Sequence, residues 1–123
     1  MLSEMLALEE IYIAPRKINE IKVKEINVNE LVNNGLIKEE EGFLYLTDKG
    51  IRRLMELRGI MDELQRIYMS IASGKEIKQS EVRNIEQLIL DGYIIIDDDK
   101  VTLTFEGIKL VAQRIAEKMT RGH

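Results

Sequence analysis

The stretch LVNNGLIKEEEGFLYLTDKGIRRL, residues 31–54, decides the fold. Its opening residues close a run with apolar positions at helical spacing, and Gly35 suits the left-handed residue that ends a helix. LIKEE (36–40) and FLYLT (43–47) then alternate like two strands, turned by Glu41-Gly42. Thr47 or Asp48 can cap the next helix, KGIRRLMEL. Helix, hairpin and helix follow one another without a spacer.

The same stretch returns 57 residues later as LILDGYIIIDDDKVTLTFEGIKLV, residues 88–111. Seven of the 24 positions are identical: Leu31/Leu88, Gly35/Gly92, Ile37/Ile94, Leu46/Leu103, Thr47/Thr104, Gly50/Gly107 and Ile51/Ile108. Ordinary residue frequencies give about one or two by chance. Asn27/Asn84 and Val28/Ile85 extend the match. Upstream the shift is 56: Met5, Leu8, Ile11 and Tyr12 recur as Met61, Leu64, Ile67 and Tyr68. One residue is gained between Tyr68 and Asn84. The chain therefore reads as two copies of one unit, 1–58 and 59–123, split near Gly59.

Within the first copy, residues 3–13 have helical spacing, with Ser3 as N-cap, and Pro15 ends that helix. RKINEIKVK (16–24) holds a short helix or turn, and EINVNELVNN (25–34) forms a third helix. The second copy has the same order, with IIIDDDKVTLT as its hairpin. The fold class expected is mainly α with small β-hairpins, an α+β arrangement of tandem repeats. A long helix over about 48–73, kinked at Gly59, joins or is shared by the two copies.

The segment L..NGLI.....F.YLT.KG (31–50) resembles the end of the recognition helix plus the wing of winged helix-turn-helix proteins of MarR and PadR type. That resemblance covers both halves and implies two tandem winged helices. It makes about Glu25–Asn34 the recognition helix of unit 1 and about Glu81–Asp91 its counterpart.

Composition narrows the chemistry. There is no cysteine, and the single histidine is His123, the last residue. Disulfides, thiol catalysis, thiolate metal sites and the usual general base are absent, so no enzyme, no metal and no cofactor are expected. Asp97-Asp98-Asp99 offers hard oxygen ligands, but consecutive residues in a tight turn point apart. No apolar run reaches the length of a membrane span, and the glutamate-rich start does not look like a signal peptide, so a cytoplasmic protein is expected. Abundant Ile, Glu and Lys with one proline is a bias seen in thermophiles.

The charges pull two ways. Net charge is −4, which opposes non-specific binding to nucleic acid. Yet Arg16, Lys17, Lys22 and Lys24 stand against one acid, Glu20, and are expected to contact phosphate in double-stranded DNA. Asn27 and Asn29 are placed near base edges, and Arg52 and Arg53 open the next helix. Both hairpin tips are acidic: Glu39-Glu40-Glu41 and Asp97-Asp98-Asp99. The leading expectation is a transcription-regulator-type DNA binder using unit 1. The alternative is a protein-interaction adaptor whose acidic wings avoid DNA. Leu54, Leu57, Met61, Leu64, Tyr68 and Ile71 form a heptad stripe, which serves either as core or as a partner interface. A monomer with internal pseudo-symmetry and a homodimer are both compatible with this.

Overall fold

Helix α1 (Leu2–Ile13) buries Met5, Leu8 and Ile11, and it stops where proline requires. Ala14, the residue before Pro15, is extended at φ −159° and ψ 143°. Ser3 is not its cap: the helix begins at Leu2, so Ser3 lies inside the first turn. The structure, a computed structural model, describes residues 1–23 and 26–121. The protein is mixed α+β with small antiparallel sheets, and the chain divides into two compact units, Met1–Arg58 and Gly59–His123.

The short helix or turn expected within residues 16–24 is present, and a strand not expected there precedes it. β1 (Arg16–Lys17) is followed by a single 3-10 turn, Ile18–Glu20. The Glu20 carboxylate closes that turn by accepting from the Lys17 N–H at 2.9 Å. Two residues are too few to show a strand's alternation in sequence. Helix α2 (Val28–Asn33) is shorter than the 25–34 expected. Asn27 fixes its start, its Oδ1 accepting from the Glu30 N–H at 3.1 Å, and Gly35 at φ +75° ends it. Glu25 lies outside the described residues. Strands β2 (Ile37–Glu40) and β3 (Phe43–Leu46) pair antiparallel, Ile37 opposite Leu46, in the order β1-β3-β2. Glu41 and Gly42 are both left-handed, the geometry of a two-residue hairpin turn. Helix α3 (Asp48–Ala72) runs as one helix through Gly59.

Unit 2 holds a 3-10 turn (Gln79–Glu81), α4 (Ile85–Leu90), β4 (Ile94–Asp97), β5 (Lys100–Leu103) and α5 (Phe105–Arg121). Helix α4 is also shorter than the 81–91 expected. Glu81 is used in the 3-10 turn, and Asn84 at φ +56° interrupts the backbone before the helix begins. Among the described residues of unit 2 no named strand matches β1. A single bridge between Lys78 and Lys100 stands in its place, with the Val101 N–H donating to the Ile77 carbonyl at 2.8 Å.

Burial repeats with the sequence. Met5/Met61, Leu8/Leu64, Ile11/Ile67, Leu31/Leu88, Ile37/Ile94, Leu44/Val101 and Leu54/Val111 are all buried pairs. The single gained residue resolves into two changes. The 3-10 turns stand 61 residues apart, against 56 for Met5/Met61 and 57 for Leu31/Leu88. Five residues are gained before the turn and four are lost after it.

One hydrogen-bonded cluster recurs in detail. The Thr47 hydroxyl donates to the Gly35 carbonyl at 2.5 Å and accepts from the Gly50 N–H at 3.0 Å, while the Thr47 N–H donates to the Leu36 carbonyl at 3.1 Å. Thr104 makes the same three bonds, to the Gly92 carbonyl, the Gly107 N–H and the Tyr93 carbonyl. A Cβ added at Gly50 would overlap the Leu36 carbonyl oxygen, and one at Gly107 the Tyr93 carbonyl oxygen. Gly59 in α3 faces open space. In urea unfolding, Gly50→Ala and Gly107→Ala are each expected to cost about 2 kcal/mol or more. Gly59→Ala is expected to raise stability by roughly 0.5–1 kcal/mol. Equal midpoints for Gly50→Ala and Gly59→Ala would contradict the packing described.

Candidate functional site

Phosphate contact needs cations that are exposed and uncommitted. Part of the basic set of unit 1 fails one condition or both. Arg53 lies between two carboxylates, Nε at 3.0 Å from Glu4 and Nη1 at 2.9 Å from Glu56. Its hydrogen bond to Glu4 pushes its pKa further up, so it is a charge already matched. Arg16 is half-buried, and its Nε is buried without a hydrogen-bond partner. The Lys17 ammonium lies 5.7 Å from the centroid of the Phe43 ring, a cation–π distance. Asn27, expected near base edges, has its side-chain oxygen engaged in capping α2. Lys24 lies outside the described residues. Lys22, Asn29 and Arg52 are exposed.

Beside α2 the described residues form an acidic cleft. It has a volume of about 190 Å³ and is lined by Glu4, Ile26, Asn27, Glu30, Leu31 and Asn34, so that among the described residues two carboxylates and no cation face it. The hairpin tips are acidic as expected. In unit 2, Asp98 and Asp99 are both left-handed, at φ +49° and φ +69°. Among the described residues, no group of three or more acidic or histidine side chains is placed to hold a metal ion. None of the described helices is long and apolar enough to cross a membrane.

The heptad stripe divides. Leu54, Leu57, Met61 and Leu64 are fully buried, so they are core and present nothing to a partner. Tyr68 is half-buried and Ile71 is exposed. A stripe at heptad spacing looks the same in sequence whether it faces a core or another chain. Burial decides between them.

Two residues missed by the sequence reading carry more of the local structure. Glu10 and Glu63 are buried at 5% and 6% exposure. Glu10 accepts from the Lys22 N–H at 2.9 Å, and Glu63 from the Arg83 N–H at 2.6 Å. Lys22 and Arg83 are equivalent, each two residues past its 3-10 turn. The glutamates are not: at the helix offset of 56, Glu63 aligns with Ala7 and Glu10 with Arg66. The contact is repeated although the residue that makes it has moved by one helical turn. An acid set among the apolar positions of each first helix was the available signal.

Glu63 also binds the Arg66 Nε, and Arg66 Nη2 donates to the Glu81 carbonyl at 2.8 Å. These groups border a cleft of about 410 Å³ with Gly59, Asp62 and Arg83. Burial pushes the Glu63 carboxyl up, but the bonds from Arg66 and from the Arg83 backbone outweigh it, and its pKa lies below the ordinary value. In the same unit, burial raises the Tyr93 phenol, and the carboxylates of Asp91 and Glu106 raise it further.

No family model, curated protein or solved structure matches the chain.

A group whose folded pKa is depressed stabilises the fold above its unfolded pKa, about 4.3 for Glu, and that stability disappears as pH falls through the folded value. Glu63→Gln is therefore expected to cost about 1–3 kcal/mol at pH 7. It should also flatten the loss of stability below about pH 4. Urea midpoints measured from pH 3 to pH 7 check both. An unchanged acid limb would show that Glu63 is not the group responsible.

Proposed function

We propose that the chain is a non-catalytic protein-interaction module of two tandem winged-helix units, and that neither hairpin reads DNA. The architecture supports the winged-helix assignment. Unit 1 runs helix, strand, 3-10 turn, short helix, hairpin and helix, with its sheet in the order β1-β3-β2. Unit 2 repeats that order with the first strand reduced to a bridge. Lack of any cysteine or internal histidine supports a role without catalysis.

The observation that carries the choice of partner is the acid at both hairpin tips, Glu39–Glu41 and Asp97–Asp99. A carboxylate about 4 Å from a phosphate costs about 1 kcal/mol in water-like surroundings and more near the protein. Matched cations elsewhere in unit 1 do not offset it, since Arg53 is already ion-paired and Lys17 lies over a ring. Among the described residues, Lys17, Lys22, Asn29 and Arg52 are exposed, while Arg53 is ion-paired and the Asn27 side-chain oxygen caps α2.

Fluorescence anisotropy with mixed-sequence duplex DNA at about 50 and 200 mM salt separates the two classes. The expected result is no saturable binding below about 100 µM protein at either salt. Binding that weakens steeply with salt and is lost in Lys22→Glu/Arg52→Glu would replace this proposal with DNA recognition by unit 1.

A further inference from the structure

The two copies act as controls for each other. Positions 57 residues apart between 31–54 and 88–111 occupy the same place in the same local structure, so a kind of side chain that one copy folds without is not demanded by that place in the fold. Three exposed positions differ in kind between the copies. Asn33, Lys38 and Asp48 in unit 1 are exposed and polar. Their counterparts in unit 2 are Leu90, Ile95 and Phe105, exposed at 80%, 53% and 74%. Ile89 and Ile108 are exposed beside them. Tyr45/Thr102 runs the other way, so the exchange is a strong bias and not an absolute one. Unit 1 shows that these sites fold with polar side chains. Large apolar groups held in water at sites that do not need them mark a surface kept for contact.

The sites belong to one end of unit 2. The Thr104 hydroxyl bound to the Gly92 carbonyl fastens the end of α4, with Ile89 and Leu90, to the start of α5, with Phe105. Phe105 and Ile108 are three residues apart on α5, hence on one face. Ile95 lies on the adjoining strand, opposite Thr102. Asp91, the residue that follows α4, and Glu106 of α5 both act on Tyr93, so two carboxylates lie near the same junction. Across residues 86–106 the acids are Glu86, Asp91, Asp97, Asp98, Asp99 and Glu106. Lys100 is the one base in that span, and it is paired with Glu76 at 3.0 Å.

The geometry points to a docking surface on unit 2, formed by the end of α4, strand β4 and the start of α5, for an amphipathic helix with a basic polar face. The apolar side of such a helix covers Leu90, Ile95 and Phe105, and its Lys and Arg residues meet the surrounding carboxylates. This assignment rests on the protein-interaction reading above and adds the surface and the chemistry of the partner.

The test uses the full chain and two labelled 18-residue helical peptides with Leu at the same amphipathic positions, one with Lys and one with Glu on the polar face. The variant is Leu90→Asn/Ile95→Lys/Phe105→Asp, which installs the residues that unit 1 already folds with. Anisotropy is expected to show the Lys peptide binding at least tenfold more tightly than the Glu peptide, with at least a tenfold loss in the triple variant. Circular dichroism and the urea midpoint of the variant are expected to match the parent, which keeps the loss from being one of folding. Lys-peptide binding that the triple variant retains would overturn the surface while leaving a protein-interaction role in place. Failure of both peptides, or a dimer in sedimentation equilibrium that the triple variant abolishes, would overturn the partner chemistry. DNA binding in the separate titration would count against the broader reading alone.

Discussion

A threonine hydroxyl ties the end of one helix to the start of the next in each unit. Thr47 and Thr104 each accept the third amide of the helix they cap and donate to the carbonyl of the glycine that ends the preceding helix. One oxygen thus sets the end of one helix, the exit of the hairpin and the start of the next helix. The glycines at positions 50 and 107 let the backbone approach the carbonyl next to that cluster, where a Cβ would not fit. Identities between the copies gather here because three elements share the constraint: Gly35/Gly92, Thr47/Thr104 and Gly50/Gly107. Leu31/Leu88 and Ile37/Ile94 are identical because both members are buried. The repeat in sequence is a record of folding, and the surface is where the copies part.

The buried carboxylates show a second kind of repetition. Each unit must anchor the chain as it leaves the 3-10 turn, and each does so with a glutamate from its first helix on the backbone amide of Lys22 or Arg83. The five residues gained before the turn in unit 2 change the path of the chain, and a glutamate one helical turn away on the equivalent helix meets the amide. The bond gives the buried carboxylate a partner and so offsets its desolvation cost. The geometry is kept while the residue is not.

Much of the fold was legible because it depends on periodicity and punctuation. Pro15, Gly35 and Glu41-Gly42 mark the turns, and the alternating strands and the 57-residue repeat follow from residue type alone. What could not be read depends on partners distant in sequence. β1 is two residues long and exists only because β3 lies beside it. The late start of the helix expected over 81–91 comes from Glu81 turning back on the Lys78 amide and from Asn84 going left-handed. The candidate site was the least legible part. Whether Arg53 faces solvent or Glu4, and whether Asn27 points outward or caps its own helix, is decided by geometry that composition does not encode.

Native-state hydrogen exchange followed by NMR tests most directly whether the threonine cluster governs each unit. The amides of Thr47, Gly50, Thr104 and Gly107 are predicted to be among the slowest of their units, exchanging only when the whole unit unfolds, together with hairpin amides such as Val101. Exchange of these four by local fraying of α3 and α5, at little free-energy cost and with the hairpins still protected, would contradict the account.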